Sequence, residues 1–162
     1  MRLLFFVSAA LCLFSCTRGD QPKNHLKISV ELKIHNSDVL QLFYSRNYFY
    51  EYDEQKSILK PVIGGSKHQV VDFDIAEIPR RVRLDLGSDS LQPPIHIRRI
   101  IISMKGKAKS FSGEEIGNFF EFNKFIRFES DGTAMLFSEK KKYDPYLISR
   151  NLGPLVKELN EE

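Results

Sequence analysis

The sequence predicts an all-β fold: a single antiparallel β-sandwich, jelly-roll-like, with one or two short helices in the C-terminal third. Apolar and polar residues alternate in short runs from residue 26 onward, which is typical of half-buried strands. Turn-forming residues separate these runs at short intervals, as they do in β-sandwiches. With 42% hydrophobic residues, the chain has enough apolar material for one core.

The first part of the domain is expected to form strands over residues 26–34, 39–44, 48–52, 57–63, 71–75, 81–86 and 95–104. Pro61 indicates an edge strand, because proline cannot donate a ladder hydrogen bond. In the last of these segments the alternation slips at Arg98 and Arg99. A β-bulge there would return the isoleucines on both sides to the core.

The C-terminal third is expected to add strands at residues 126–129, 133–138 and 143–148 and short helices at 113–119 and 155–160. Ser112 and Glu115 have the spacing of a helix capping box. Asp131 and Gly132 stand between two strand-like segments and predict a tight hairpin. No linker precedes this part, so we expect it to complete the same sandwich.

Four short motifs follow one another in the first part of the domain, with Glu54 and Ser57 between the first two: QLFY at 41–44, PV at 61–62, RVRLD at 81–85 and IRRI at 97–100. In this order they resemble a β-sandwich domain of uncharacterised bacterial lipoproteins. They are also similar to extracytoplasmic modules of polytopic proteins associated with surface-polysaccharide assembly. The resemblance covers roughly residues 26–105. It implies a jelly-roll-like sandwich of the kind that includes many carbohydrate-binding modules.

The N-terminal segment has the layout of a bacterial export signal. Arg2 precedes an apolar run over residues 3–14, which is shorter than the roughly 20 residues of a transmembrane helix. Residues 13–16, Leu-Phe-Ser-Cys, resemble the lipobox of bacterial lipoproteins. The resemblance implies that the chain is cut before Cys16 and that its sulfur receives a diacylglycerol. Ordinary signal cleavage, which would leave Cys16 as a free thiol, is the alternative.

These expectations divide the chain into a removed signal peptide at 1–15, a lipid-anchored tether at 16–25 and a sandwich domain with its C-terminal extension at 26–162. Cys12 lies in the discarded segment, so the mature chain would contain no internal disulfide. We expect an exported protein, lipid-anchored to a bacterial membrane at the periplasmic face or the cell surface.

Composition and spacing exclude several classes of partner. The 24 basic and 21 acidic residues nearly balance, so we expect no nucleic acid as a partner. The histidines are scattered without metal-ligand spacing. Asp85, Asp89 and Asp131 offer oxygen ligands of the kind calcium prefers, but no ordered loop pattern joins them. We expect no metal site and no cofactor; a structural calcium stays open.

The aromatic stretch at residues 48–52 is the best candidate for a ligand site. Tyr48, Tyr50 and Tyr52 alternate, so a strand there would present them on one face, with Glu51 nearby. Aromatic rings pack on the apolar faces of sugars while carboxylates bind the hydroxyls, and tyrosine suits such a half-wet surface. The alternative is that these rings cover one end of the sandwich or pair across strands.

Two carboxylates on one strand face, Asp72 and Asp74, raise the question of a glycosidase. At this spacing on an edge-like strand, a solvated face is the more common arrangement. We therefore expect no enzyme, but a non-catalytic binding or accessory module of the cell envelope, with an envelope glycan or a membrane protein as its partner. A structural subunit of an envelope assembly complex is the first alternative, and a glycoside hydrolase-like enzyme the second.

Overall fold

Two antiparallel β-sheets enclose the core, as the sequence predicts. The computed structural model describes residues 25–47 and 52–161. The strands are β1 (Leu26–Lys33), β2 (Asp38–Ser45), β3 (Ser57–Val62), β4 (Gln69–Ile75), β5 (Arg81–Asp85), β6 (Ile95–Met104), β7 (Lys107–Ser112), β8 (Phe120–Phe122), β9 (Ile126–Phe128), β10 (Thr133–Leu136) and β11 (Tyr146–Ser149). The helices are α1 (Glu114–Phe119) and α2 (Gly153–Asn160), and a 3-10 turn spans Glu54–Lys56.

The sheet topology consists of hairpins folded from one sheet into the other. The first sheet has the order β4-β1-β6-β10-β9, with β7 also paired to β6, and the second has the order β3-β2-β5-β11-β8. Strands β2 and β3 pair in the second sheet, and the strands on either side of them, β1 and β4, pair in the first. In the same way, β5 and β11 pair in the second sheet, while β6 and β10 pair in the first. Such folded hairpins give the jelly-roll-like sandwich that the sequence predicts.

The apolar positions of the alternating pattern form the core between the two sheets. Along β1, for example, every second residue from Leu26 to Leu32 is buried with at most 2% of its surface exposed. Facing side chains from the other strands complete this cluster, among them Leu42, Phe73 and Leu84. Burying one such side chain stabilises the fold by about 1.5–3 kcal/mol. Because side chains alternate, this burial also fixes the register of each strand.

The β-bulge predicted in β6 is confirmed. Glu31 on β1 pairs with Arg99, whereas the next residue, Leu32, pairs with Ile97, so Arg98 is the extra residue. The isoleucines on both sides of the bulge are buried, and both arginines are exposed on the outer face of the sheet.

The predicted hairpin at residues 131–132 is also confirmed. The amide of Glu129 donates to the carbonyl of Thr133 at 2.8 Å, and Gly132 has a φ of 93°. Strands β9 and β10 flank this turn and join the first sheet, while β8 and β11 join the second. The C-terminal third thus contributes strands to both sheets.

Some predicted boundaries are wrong. Helix α1 forms where the capping box predicts, but its N-cap is Gly113 rather than Ser112. Only part of the box is present, with the Glu115 carboxylate accepting from the Ser112 amide at 3.1 Å. The last strand begins at Tyr146 instead of residue 143, and the turn before it lies at Lys140 and Lys141 rather than at the predicted Asp144 and Pro145, which have no regular structure. Tyr52 has no regular structure, and the rest of the predicted 48–52 strand lies outside the described residues.

The two ends of the sandwich carry different segments. At one end β1 begins, and Lys27 pairs with Ser103 just before β6 turns into β7; we call this the Leu26 end. The opposite end holds the β1–β2 and β5–β6 connections, and we call it the Gly87 end. There the carboxylate of Asp38 accepts from the amides of Ser88 and Asp89 at 3.0–3.2 Å, which fixes the β5–β6 loop to the start of β2.

Candidate functional site

A charged pair lies on the outer face of the second sheet, at the centre of a group of aromatic rings. Arg83 and Asp85 both project outward from β5, because they alternate with the buried Val82 and Leu84. Their side chains form a bidentate pair, with Nε to Oδ1 at 2.6 Å and NH2 to Oδ2 at 2.8 Å. The same guanidinium donates to Asp144, just before β11, at 2.9 Å.

Three aromatic rings surround this guanidinium. Its carbon lies 3.8 Å from the centre of the Tyr146 ring, 5.4 Å from that of Phe43 and 5.8 Å from that of Tyr52. These distances are those of cation–π contacts. Phe43 projects outward from β2 yet is only 5% exposed. The edge-to-face contact with Tyr52, at 6.0 Å between ring centres, helps to cover it.

We call these six residues the Arg83 cluster: Phe43, Tyr52, Arg83, Asp85, Asp144 and Tyr146. The cluster is partly withdrawn from water, since the side chains of Arg83 and Asp85 are only 19% and 18% exposed. Burial raises the pKa of Asp85 to about 6, although the hydrogen bonds from Arg83 act in the opposite direction. Burial would lower the pKa of Arg83, but its bonds to Asp85 and the nearby carboxylate charges raise it. The arginine therefore stays charged.

Polar side chains border the cluster on the β3 side. The amide nitrogen of Gln41, on β2, donates to Glu54 at 2.7 Å and to the Ser57 hydroxyl at 3.0 Å. Asp53 caps the 3-10 turn that carries Glu54 by accepting from the amide of Gln55 at 2.9 Å. Glu54 and Gln41 therefore place a carboxylate and an amide on the same face as the aromatic rings.

A cleft of about 380 Å³ opens beside Tyr52. Its lining residues are Tyr44, Ser45, Arg46, Asn47, Tyr52, Asp53 and Lys56. Glu77 lies near two of the cations, 2.8 Å from Arg46 and 3.8 Å from Lys56. The cleft thus offers an aromatic ring, an amide and hydroxyl groups, which can contact both the apolar and the polar sides of a sugar.

The residues predicted for ligand binding can be placed only in part. Tyr52 lies in the Arg83 cluster and lines the cleft. Tyr48, Tyr50 and Glu51 lie outside the described residues, as does the predicted lipidation site, Cys16. Arg83, Asp85 and Tyr146 are not predicted from the sequence to be parts of one site. Their only local signal is the Arg-x-Asp spacing on β5, which places two charges on one strand face.

The carboxylates considered for glycoside hydrolysis are each engaged. Asp72 accepts from the Ser29 hydroxyl at 2.6 Å and pairs with Lys27 at 2.7 Å. The Lys27 bond is the main reason that the pKa of Asp72 is lowered. Asp74 contacts His25 at 3.0 Å. These two carboxylates therefore have side-chain partners on the outer face of the first sheet, Lys27 for Asp72 and His25 for Asp74.

The outer face of the first sheet has a second cluster around Glu31. Its carboxylate accepts from Arg98 at 3.0 Å and from Arg99 at 2.6 Å. Burial opposes ionisation of Glu31, but the two arginines lower its pKa on balance. Nearby, the rings of His68 and His96 meet at 2.8 Å between nitrogens. Burial and the neighbouring His96 lower the pKa of His68.

Within the described residues, no group of three or more histidine, cysteine, aspartate or glutamate side chains could hold a metal ion. Neither α-helix between residues 52 and 161 is long and apolar enough to span a membrane. No protein-family model, curated protein or solved structure matches this chain. The function of the protein must therefore be inferred from the chemistry of its own residues.

Proposed function

We propose that this protein is an exported lipoprotein, anchored through a diacylglycerol on Cys16, whose sandwich serves as a non-catalytic glycan-binding module of the cell envelope. The lipobox-like residues 13–16 support the anchor. The diacylglycerol itself supplies two acyl chains, and membrane attachment becomes stable with two or more.

The observation that carries glycan binding is the convergence of Tyr52 and Tyr146 with the Arg83–Asp85 pair beside a cleft. A tyrosine ring packs on the C–H face of a sugar, and neighbouring amides and carboxylates bind its hydroxyls. The cleft volume of about 380 Å³ falls at the lower end of the range for ligand pockets. Asn47 and Asp53 in its lining supply the polar partners.

Binding is a better proposal than hydrolysis because of how Asp85 is held. Its raised pKa, about 6, is a property that a general acid needs. Both of its oxygens, however, accept from Arg83, and a second nearby carboxylate, that of Asp144, binds the same guanidinium. A glycosidase instead places its acid and its second carboxylate on opposite sides of the scissile bond.

A structural subunit of an envelope assembly complex is the second candidate, favoured by exposed apolar residues on the same sheet face. Val39 and Leu59 are 44% and 60% exposed and lie diagonally across the β2–β3 pair. Co-purification of defined membrane proteins from native cells, lost when both residues are changed to Ser, would favour this candidate. Purification as a monomer without other proteins would count against it.

Glycan binding can be tested by NMR titration of the purified protein with neutral and acidic oligosaccharides released from bacterial envelopes. We expect signals of Tyr52 and Tyr146 to shift, and the change Tyr52→Ala to weaken binding about tenfold. The matched control is Phe137→Ala, because Phe137 is another exposed ring near an Arg–Glu pair, Arg127 with Glu129. Equal weakening by both variants, or no shift with any oligosaccharide, would contradict this function.

The anchor is tested separately by mass spectrometry of the N-terminal peptide. We expect the mature protein to begin at Cys16 and to carry the mass of a diacylglycerol. A chain that begins elsewhere, or an unmodified Cys16, would contradict lipid anchoring without bearing on the glycan site.

A further inference from the structure

A lysine-rich hairpin lies where the N-terminal segment enters the sheet. Strands β6 and β7 are joined by Lys105 and Gly106, and Lys107 and Lys109 follow on β7. All three lysines are exposed. Lys27 pairs with Ser103, so the start of β1 lies directly beside this turn. We call Lys105, Lys107 and Lys109 the lysine hairpin.

The backbone of this turn holds the lysines in a defined place. Lys105 and Gly106 have φ values of 51° and 80°, as a two-residue hairpin turn requires. Lys107 is also tied to the chain after α2, because its ammonium donates to the backbone carbonyl of Glu161. The three charges therefore project from a fixed hairpin tip at the Leu26 end.

Acidic side chains around this end have side-chain partners of their own. Asp72 pairs with Lys27 at 2.7 Å, Asp74 with His25 at 3.0 Å and Glu161 with Lys157 at 3.7 Å. These carboxylates therefore offset the charge of the lysine hairpin only in part.

The length of chain before β1 limits how far this end can lie from an anchor. Nine residues separate Cys16 from Leu26. A chain of this length spans at most about 35 Å when fully extended, and its average reach as a flexible linker is about half of that. A lipid on Cys16 would thus keep the lysine hairpin near the headgroup layer. Lysines and anionic headgroups attract each other there over a Debye length of about 8 Å.

We propose, on the basis of the lipid anchor proposed above, that the lysine hairpin binds anionic lipid headgroups and orients the Leu26 end of the sandwich towards the membrane. The Gly87 end then points away from the bilayer. Lys140, Lys141 and Lys142 carry the same charge at this opposite end. They lie between β10, whose Ala134 pairs with Ile95 at the start of β6, and β11, whose Tyr146 pairs with Asp85 at the end of β5. They form an internal control within one molecule.

The test uses the wild-type protein, purified from membranes with its own N-terminus and reconstituted into vesicles. One set contains only phosphatidylcholine, and the other contains about 30% phosphatidylglycerol. A water-soluble acylating reagent then modifies accessible lysines, and mass spectrometry follows each site. We expect Lys105, Lys107 and Lys109 to react about fivefold more slowly on the anionic vesicles. This is the factor by which one lysine near an anionic membrane surface strengthens membrane binding. The rates at Lys140 to Lys142 should not change, and high salt should remove the difference.

Sedimentation in the same samples separates this inference from the anchor. If the protein sediments with both kinds of vesicle but the lysine hairpin reacts equally on each, the orientation is wrong and the anchor stands. If it sediments with neither kind, the anchor is wrong and the orientation is overturned with it. Changing all three hairpin lysines to Gln should randomise the orientation, seen as a reaction rate at Lys27, which lies at the same Leu26 end, that does not differ between the two kinds of vesicle. The matched triple change at Lys140, Lys141 and Lys142 should leave the protection of the hairpin intact.

Discussion

The guanidinium carbon of Arg83 lies 3.8 Å from the ring centre of Tyr146, while its nitrogens contact the carboxylates of Asp85 and Asp144. Arginine suits this position because it is planar and forms bidentate bonds with a carboxylate while stacking on a ring. The pair joins β5 to β11, since Tyr146 and Asp85 are register partners. The candidate binding surface is therefore also part of what holds the second sheet together.

Removing this guanidinium should destabilise the fold. We expect Arg83→Met to lower the free energy of unfolding by about 2 kcal/mol at pH 7, because Asp85 would remain mostly buried without its counter-ion. The loss should be smaller at pH 5, where a protonated Asp85 needs no partner. Urea unfolding at both pH values measures these differences.

The control is Arg127→Met. Arg127 also pairs with a carboxylate, Glu129 at 2.9 Å, and lies near a ring, but its side chain is 65% exposed. Exposed pairs contribute about 0–1 kcal/mol. A loss at Arg127 as large as that at Arg83 would contradict the role assigned to burial.

Asp85 should give the protein an unusual pH dependence of stability. Its pKa is raised to about 6 in the folded protein, against an ordinary value of about 3.9 for aspartate. Because Asp85 binds its proton more tightly in the folded state than in the unfolded state, the protonated carboxyl stabilises the fold. This stabilisation is complete below the ordinary aspartate pKa and is lost as the pH rises through about 6. Relative to Asp85→Asn, the wild type should lose about 3 kcal/mol between pH 3.5 and pH 7. A difference between the two proteins that does not vary with pH would contradict the raised pKa.

Glu31 should show the opposite dependence. Arg98 and Arg99 lower its pKa in the folded protein, so its contribution is present above the ordinary glutamate pKa, about 4.3, and is lost as the pH falls below it. We expect Glu31→Gln to destabilise the protein by about 1–2 kcal/mol at pH 7 and by much less at pH 3. The comparison is Glu121→Gln, an exposed glutamate in β8, which should have little effect at either pH. Equal losses at pH 7 and pH 3 would contradict the ion-pair explanation.

The fold could be predicted further from the sequence than the site could. Strand alternation and the phase slip at Arg98 are local signals, because a side-chain period of two assigns each residue to a face. The Arg83 cluster depends on the pairing of β5 with β11, which brings together Arg83 and Asp144, 61 positions apart. No local pattern encodes that pairing. Likewise, Gly113 replaces Ser112 as the N-cap of α1 because the chain enters the helix with a φ of 48°, which favours glycine.

The loop that closes the Gly87 end depends on close packing of Gly87 against Asp38. Gly87 has a φ of 101°, and a Cβ atom there would lie 2.2 Å from Oδ2 of Asp38. That oxygen accepts the amides of Ser88 and Asp89 at 3.1 and 3.0 Å, so the carboxylate cannot move aside without losing both bonds. Gly87→Ala should therefore cost both backbone strain and these hydrogen bonds, about 3 kcal/mol together.

Gly106→Ala is the matched control, because Gly106 also has a positive φ, 80°, but a Cβ atom there would meet nothing within 4 Å beyond its own chain neighbours. Only backbone strain applies there, and we expect a loss of about 1–2 kcal/mol. Thermal or urea unfolding of the two variants separates the steric contribution from the conformational one. If Asp38 is the cause of the difference, Asp38→Ala should remove most of the extra cost of Gly87→Ala in the double variant, because the two residues act through one contact. Additive losses in that double-mutant cycle would show that the clash with Asp38 does not hold the loop.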